Sequence, residues 1–139
     1  IRGCGQGALH STPAATMNTF ITAEGCHFNA SQFGVQLNAR TKAVFENCQA
    51  TSNLQQGIFL SAPTGSAEAQ INGCSIFDNG SVGISCAGAN AVARISLCTI
   101  FGNVIGINRP TGGQIYSVGN NRIRGNTTNG TPTSVIGGD

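Results

Sequence analysis

Apolar residues alternate with polar ones in short runs, and the runs come back at a nearly constant distance. The clearest unit reads "AVFEN", "QAT" and "GIFL" at residues 43–47, 49–51 and 57–60. The stretch "INGCSIFDNGSVGISC" (71–86) repeats the plan, and "ISLCTIFGN" (95–103) nearly repeats its first half. Alternation with a period of two predicts strands, and pieces this short cannot form helices. The small polar residues between them predict sharp corners, with Gly and Asn expected to supply left-handed backbone there.

Cysteine anchors the repeat. Cys4, Cys26, Cys48, Cys74 and Cys98 are spaced by 22, 22, 26 and 24 residues, and 23 more reach Asn121. Three residues before the anchor stand Ala23, Phe45, Ile71, Ile95 and Val118, and two after it Phe28, Ala50, Ile76, Ile100 and Ile123. Five after it come Ser31, Asn53, Asn79, Asn103 and Asn126, followed by "GVQL", "GIFL", "GISC" and "GINR". Extra residues collect at 61–70 and 86–94, so insertions map to one side of the stack. Such coils place parallel strands about 4.8 Å apart. The predicted fold is all-β: a single-domain parallel β-helix, or β-solenoid, of about five coils of 22–26 residues over 1–126, with 127–139 as a C-terminal tail or cap. Chirality favours the right-handed form.

The units "INGCSIFDNGSVGIS" and "ISLCTIFGNVIGIN" resemble the right-handed parallel β-helix repeats of the pectin-lyase-like superfamily, and "IYSVGNNRIRGN" (115–126) is similar to the closing coil of many of its bacterial members. The resemblance spans roughly residues 18–126. It implies the fold and an extracellular or cell-surface location, and it says little of activity, because many functions share the coil.

Composition narrows the function classes. Only 9% of the 139 residues are charged, against 40% hydrophobic, and the net charge of +2 is spread thinly, with no basic run to track a phosphate backbone. Nucleic acid is therefore not an expected partner, and no stretch approaches the ~18 apolar residues of a membrane span. The first residues lack the pattern of a signal peptide, and the start at Ile1 predicts a processed, truncated or incomplete chain.

The candidate residues follow from the columns. Cys4, Cys26, Cys48, Cys74 and Cys98 form a structural column of small buried residues, where relatives in the superfamily often place a ladder of Asn; partial disulfide pairing between neighbouring rungs is also geometrically open. Asn53, Asn79, Asn103 and Asn126 form a second structural column at a corner. Cys86 falls in register with Leu37 and Leu60, which predicts a core position. No cysteine pair has metal-ligand spacing and His10 and His27 have no companion, so no metal and no cofactor is expected. Glu24 and Glu46 are neighbours in one column and are the weak catalytic candidates, since retaining glycosidases use carboxyls roughly 5 Å apart. Arg2 stands one rung away, which fits an exposed polar ladder equally well. The aspartate and calcium clusters of enzymatic relatives are missing. Phe77 and Phe101 should stack on adjacent rungs, either as a covered surface pair or as a contact patch for a partner or sugar ring.

The N-terminal "IRGC" enters directly at a strand and corner, as though coils precede it or a neighbour supplies them. The expected function is a non-catalytic structural or adhesive solenoid module, with itself as partner in end-to-end stacks that build fibres, or with neighbouring coils of a longer chain. The alternative is a polysaccharide-binding or polysaccharide-degrading domain, so enzymatic activity stays open with the balance against it.

Overall fold

The computed structural model describes residues 8–137. After β1 (Leu9–Ser11), each coil contributes three strands. The first is β2 (Thr19–Glu24), β3 (His27–Asn29) and β4 (Phe33–Asn38); the second is β5 (Thr41–Glu46), β6 (Gln49–Thr51) and β7 (Gln56–Ser61). The third is β8 (Ala67–Asn72), β9 (Ser75–Phe77) and β10 (Val82–Ala87); the fourth is β11 (Ala91–Ser96), β12 (Thr99–Phe101) and β13 (Ile105–Asn108). A short 3-10 turn at Pro110–Gly112 leads to β14 (Gln114–Ser117), β15 (Arg122–Ile123) and β16 (Ser134–Val135). Strands stack in parallel as three sheets. Sheet I runs β2-β5-β8-β11-β14-β16, sheet II β3-β6-β9-β12-β15 and sheet III β1-β4-β7-β10-β13. Coils therefore follow one another along the axis as the repeat predicts.

The core is a set of registered columns. Ala23, Phe45, Ile71 and Ile95 pair in sheet I, and Phe28, Ala50, Ile76 and Ile100 in sheet II. The two columns face each other and compensate in volume. Coil by coil they read Ala with Phe, Phe with Ala, then Ile with Ile twice, so the summed volume of each cross-section stays nearly level. Where the large partners change sides, Phe28 and Phe45 meet edge to face at 5.9 Å. Cys86 pairs with Leu60, itself paired with Leu37, and all three are buried, as the register predicts.

The corners differ from expectation in one respect. Left-handed backbone occurs one residue before each anchor: at Gly25, Asn47, Gly73 and Leu97 beside the cysteines, and at Ala30, Ser52, Asp78, Gly102 and Gly125 before the Asn column. The column asparagines and the glycines of the "GIFL" strands have no positive φ. Those glycines answer a close approach instead: a Cβ on Gly57 would lie 2.8 Å from Asn79 Nδ2 and from Gly83 O of the next rung. Leu97 is the costliest corner residue, at φ 54° and well exposed. Left-handed backbone costs a branched L-residue about 1–2 kcal/mol, which Asn largely avoids. Leu97→Asn, the residue found at the equivalent position 47, is expected to raise unfolding free energy by about 1 kcal/mol, read from urea midpoints.

The last coil also departs from the predicted register. Ile95 pairs with Ser117, not with Val118, while Thr99 and Ile100 still pair with Arg122 and Ile123. One additional residue thus sits in the final corner. An inward serine is tolerated there because its hydroxyl accepts from the Gly119 N–H and the Asn121 amide. Residues 128–136 keep to the solenoid path: Thr128 bridges to Ile105, and β16 pairs in parallel with β14.

Candidate functional site

Two corners carry side-chain hydrogen bonds along the axis. At the corner between sheets II and III, Asn53 Nδ2 donates to Asn79 Oδ1, Asn79 Nδ2 to Asn103 Oδ1 and Asn103 Nδ2 to Asn126 Oδ1, each at 2.9 Å. Each Oδ1 also accepts the backbone N–H of the preceding rung's asparagine, at 3.2, 3.0 and 3.0 Å. The second Nδ2 hydrogens serve backbone carbonyls, Ala50 O and Ile76 O among them. The string ends on Asn129 Oδ1. These amides are saturated by their rung neighbours.

The cysteine corner between sheets I and II works differently. Cys48, Cys74 and Cys98 are buried free thiols in successive rungs, but they do not form a thiol-to-thiol ladder. Each Sγ lies between two carbonyls that share its one hydrogen, one two residues back in its own coil and one three residues before the previous anchor: Cys48 between Glu46 O at 3.3 Å and Ala23 O at 3.5 Å, Cys74 between Asn72 O at 3.3 Å and Phe45 O at 3.6 Å, and Cys98 between Ser96 O at 3.3 Å and Ile71 O at 3.1 Å. Asn121 Nδ2 donates to Ile95 O at 2.9 Å, the same bond one rung on. The thiols thus stand where Asn121 places an amide donor, with sulfur as the weaker donor. Burial pushes the Cys74 thiol up to about 12, helped by its neighbours Cys98 and Cys48, and raises Cys98 as well. Burial alone carries Cys86 to about 12. These are not poised nucleophiles. Cys26 is disulfide-bonded, and Cys4 lies outside the described residues.

Sheet I presents the chemically richest outer face. Glu24, Glu46, Asn72 and Ser96 are register partners at its edge, so the two glutamates stand on adjacent rungs as the spacing implies; Arg2 lies outside the described residues. Farther along the same strands lies an ion triad that the anchor alignment did not reach: Glu68 pairs with Lys42 of its own column at 3.5 Å and with Arg94 of the adjacent column at 3.6 Å. Extending the columns to six positions before each cysteine would have found Phe20, Lys42 and Glu68 in one line. The triad is partly solvated, so each pair contributes at most about 1 kcal/mol. Phe20, three-quarters exposed, stands at the end of a shallow trough of about 320 Å³ over Lys42, Glu68 and Arg94. A cleft of about 620 Å³ opens where Arg109, Gln114 and Tyr116 meet residues 130–133.

On sheet II, Phe77 and Phe101 pair in register and stack with ring centroids 5.0 Å apart and planes 6° from parallel. Phe101 remains 40% exposed. His10 meets Asn38 at 3.2 Å, and among the described residues no three His, Cys, Asp or Glu side chains gather in a metal-binding group. No described helix is long and apolar enough to cross a membrane.

A family model described as a right-handed β-helix region matches residues 1–132. The chain belongs to that family. No curated protein and no solved structure matches it. In this right-handed β-helix the family accounts for the coil architecture, and it assigns no role to the side chains on the outer faces.

Proposed function

We propose that this β-helix is a non-catalytic structural module of an extracellular or cell-surface protein, joined at its ends to further coils, either of a longer chain or of a second copy stacked head to tail. The observation that carries the reading is where the polar side chains are spent. The asparagine string and the thiol bonds connect rung to rung, so the specific chemistry of the chain serves stacking. Charge supports the self-stacked form: residues 1–78 carry three basic and four acidic side chains, residues 79–139 four basic and one acidic, giving ends of opposite sign. Heterologous contacts between such ends propagate without closure. The bonded Cys26 supports an oxidising compartment.

Sedimentation at rising protein concentration, with electron microscopy of the same samples, tests this. Oligomers that lengthen with concentration and shrink as salt is raised are expected. Monodisperse particles of the complete natural protein at high concentration would remove self-stacking. Turnover of an acidic polysaccharide that vanishes in Glu24→Gln or Glu46→Gln would overturn the non-catalytic reading altogether. The second reading, carbohydrate binding, is favoured by the trough beside the exposed Phe20 ring.

A further inference from the structure

The cleft of about 620 Å³ at the C-terminal end lies between the Pro110–Gly112 turn, β14 and residues 130–133. Its size falls in the range of small-molecule sites, roughly 300–1,000 Å³. Glycines fix its walls by close approach to the preceding rung: a Cβ on Gly113 would lie 1.8 Å from Cys86 O, and one on Gly130 2.0 Å from Ile107 O. No side chain can be grown from either wall without moving the coil.

Arg109 is the cleft's cation. Its Nε donates to Thr131 O at 3.0 Å and Nη1 to Thr133 Oγ1 at 3.2 Å, which orients the guanidinium. These two bonds engage two of five N–H donors. The ion pairs among the described residues join Lys42 and Arg94 to Glu68, and none involves Arg109. The sequence has no Asp or Glu between Asp78 and Asp139, so no acid stands among the described residues from 79 to 137 to neutralise it. A pre-oriented guanidinium with spare parallel donors is matched by a carboxylate. The rest of the lining is largely hydroxyl and amide: Asn108, Gln114, Tyr116, Thr131 and Thr133. The Tyr116 hydroxyl donates to Gln114 Oε1, which leaves its phenol oxygen as an acceptor and its ring as a flat wall.

We propose that this cleft binds a small polyhydroxylated carboxylate, with the carboxylate on Arg109 and the hydroxyls on Tyr116, Thr131 and the Asn108 amide. The ligand is either a free hydroxy acid or the acidic end unit of a glycan. The inference is independent of end-to-end stacking and stands if that fails.

The test is NMR titration of the full chain, following the Arg109 Nε–H and the amides of residues 130–133. Probes are gluconate, glucose, propionate and a disaccharide ending in glucuronate. Gluconate is expected to shift these signals saturably and at least tenfold more tightly than glucose or propionate, and tight binding of the disaccharide alone would assign the glycan source. Arg109→Met should lower affinity for the preferred acid at least tenfold. Because that change also releases two bonds to residues 131 and 133, Tyr116→Phe provides a second variant, with a few-fold loss expected and the Ile136 amide signal unmoved. Equal shifts from glucose and gluconate, unchanged affinity in both variants, or shifts confined to Lys42 and Arg94 would overturn the proposal.

Discussion

Asn79→Ala is expected to cost about 4 kcal/mol of unfolding free energy, as much as Asn103→Ala, whose equally buried amide makes the same set of five bonds one rung on. The Asn79 side chain is buried and makes five hydrogen bonds. It accepts from the backbone N–H and the amide of Asn53, and donates to Ala50 O, Phe77 O and Asn103 Oδ1. Alanine removes one residue yet strands both Asn53 donors and the Ala50 carbonyl on the preceding rung, and takes a donor from Asn103 Oδ1 on the next. Each buried group left without a partner costs about 1–3 kcal/mol. Water cannot repair the loss, because the flanking glycine column brings backbone within contact distance of the amide; a Cβ on Gly57 alone would reach within 2.8 Å of Asn79 Nδ2. Asn126→Ala should cost only about 1–2 kcal/mol, since that end of the string is partly exposed and relaxes onto solvent. Asn79→Asp should be at least as damaging as alanine, because an oxygen in place of Nδ2 would face Ala50 O at about the present 3.0 Å. Urea midpoints for the three variants provide the check. Equal losses at positions 79 and 126 would show that the bonds do not act as a continuous string.

The same string shows how far the sequence could be read. Strand order, parallel pairing and the columns through Ile71, Ile76 and Ile84 followed from spacing alone, because a solenoid repeats one local solution and misaligned columns would put polar residues inside. Position in a column did not reveal what each side chain does there. Asn and Gly were read together as turn formers, yet the left-handed positions lie one residue earlier and the glycines serve close packing. Composition cannot separate these uses, since both favour the same residue types. The final register was missed for a related reason. Val118 is apolar and suits the alignment, but Ser117 is the residue that pairs with Ile95, and its hydroxyl is satisfied by Asn121 from the same corner. A bond between residues four apart leaves no trace in a period of about 24.

The candidate sites were less legible than the fold. Glu24 and Glu46 were found because they flank the cysteine anchor, and Phe77 and Phe101 for the same reason. Lys42, Arg94, Arg109 and Tyr116 were passed over as isolated residues because they lie farther from the anchor, and the Arg109 cleft depends on residues 130–133, which keep to the coil path without carrying the repeat's motif. Outer-face chemistry is assembled by stacking, so a residue acquires its neighbours only once the length of every intervening corner is known.

The buried thiols make a sharper prediction about alkali. An unfolded cysteine ionises near its ordinary value of 9.0, whereas Cys74 and Cys86 are held to about 12 in the folded chain, chiefly by burial. A raised folded value means that the thiol's stabilising contribution is fully present below the unfolded value and is lost as pH climbs toward the folded one. Between about pH 9 and 12 the unfolded chain binds fewer protons than the folded one, so stability must fall, by about 1.4 kcal/mol per pH unit for each such thiol. Two thiols give a slope of about 3 kcal/mol per unit, and Cys98, raised in the same direction, steepens it. A domain of ordinary stability, about 5–15 kcal/mol, should lose most of it within a few pH units above 9 while remaining indifferent to pH between 7 and 8. Urea midpoints from pH 7 to 10.5 measure the slope. Cys86→Ala, which removes a thiol packed between Leu60 and the next rung without touching the corner bonds, should reduce it by about 1.4 kcal/mol per unit. If the slope is the same in both, or if all four free thiols react with a disulfide reagent in the folded protein at pH 8, the thiols are not sealed in the core as the columns require.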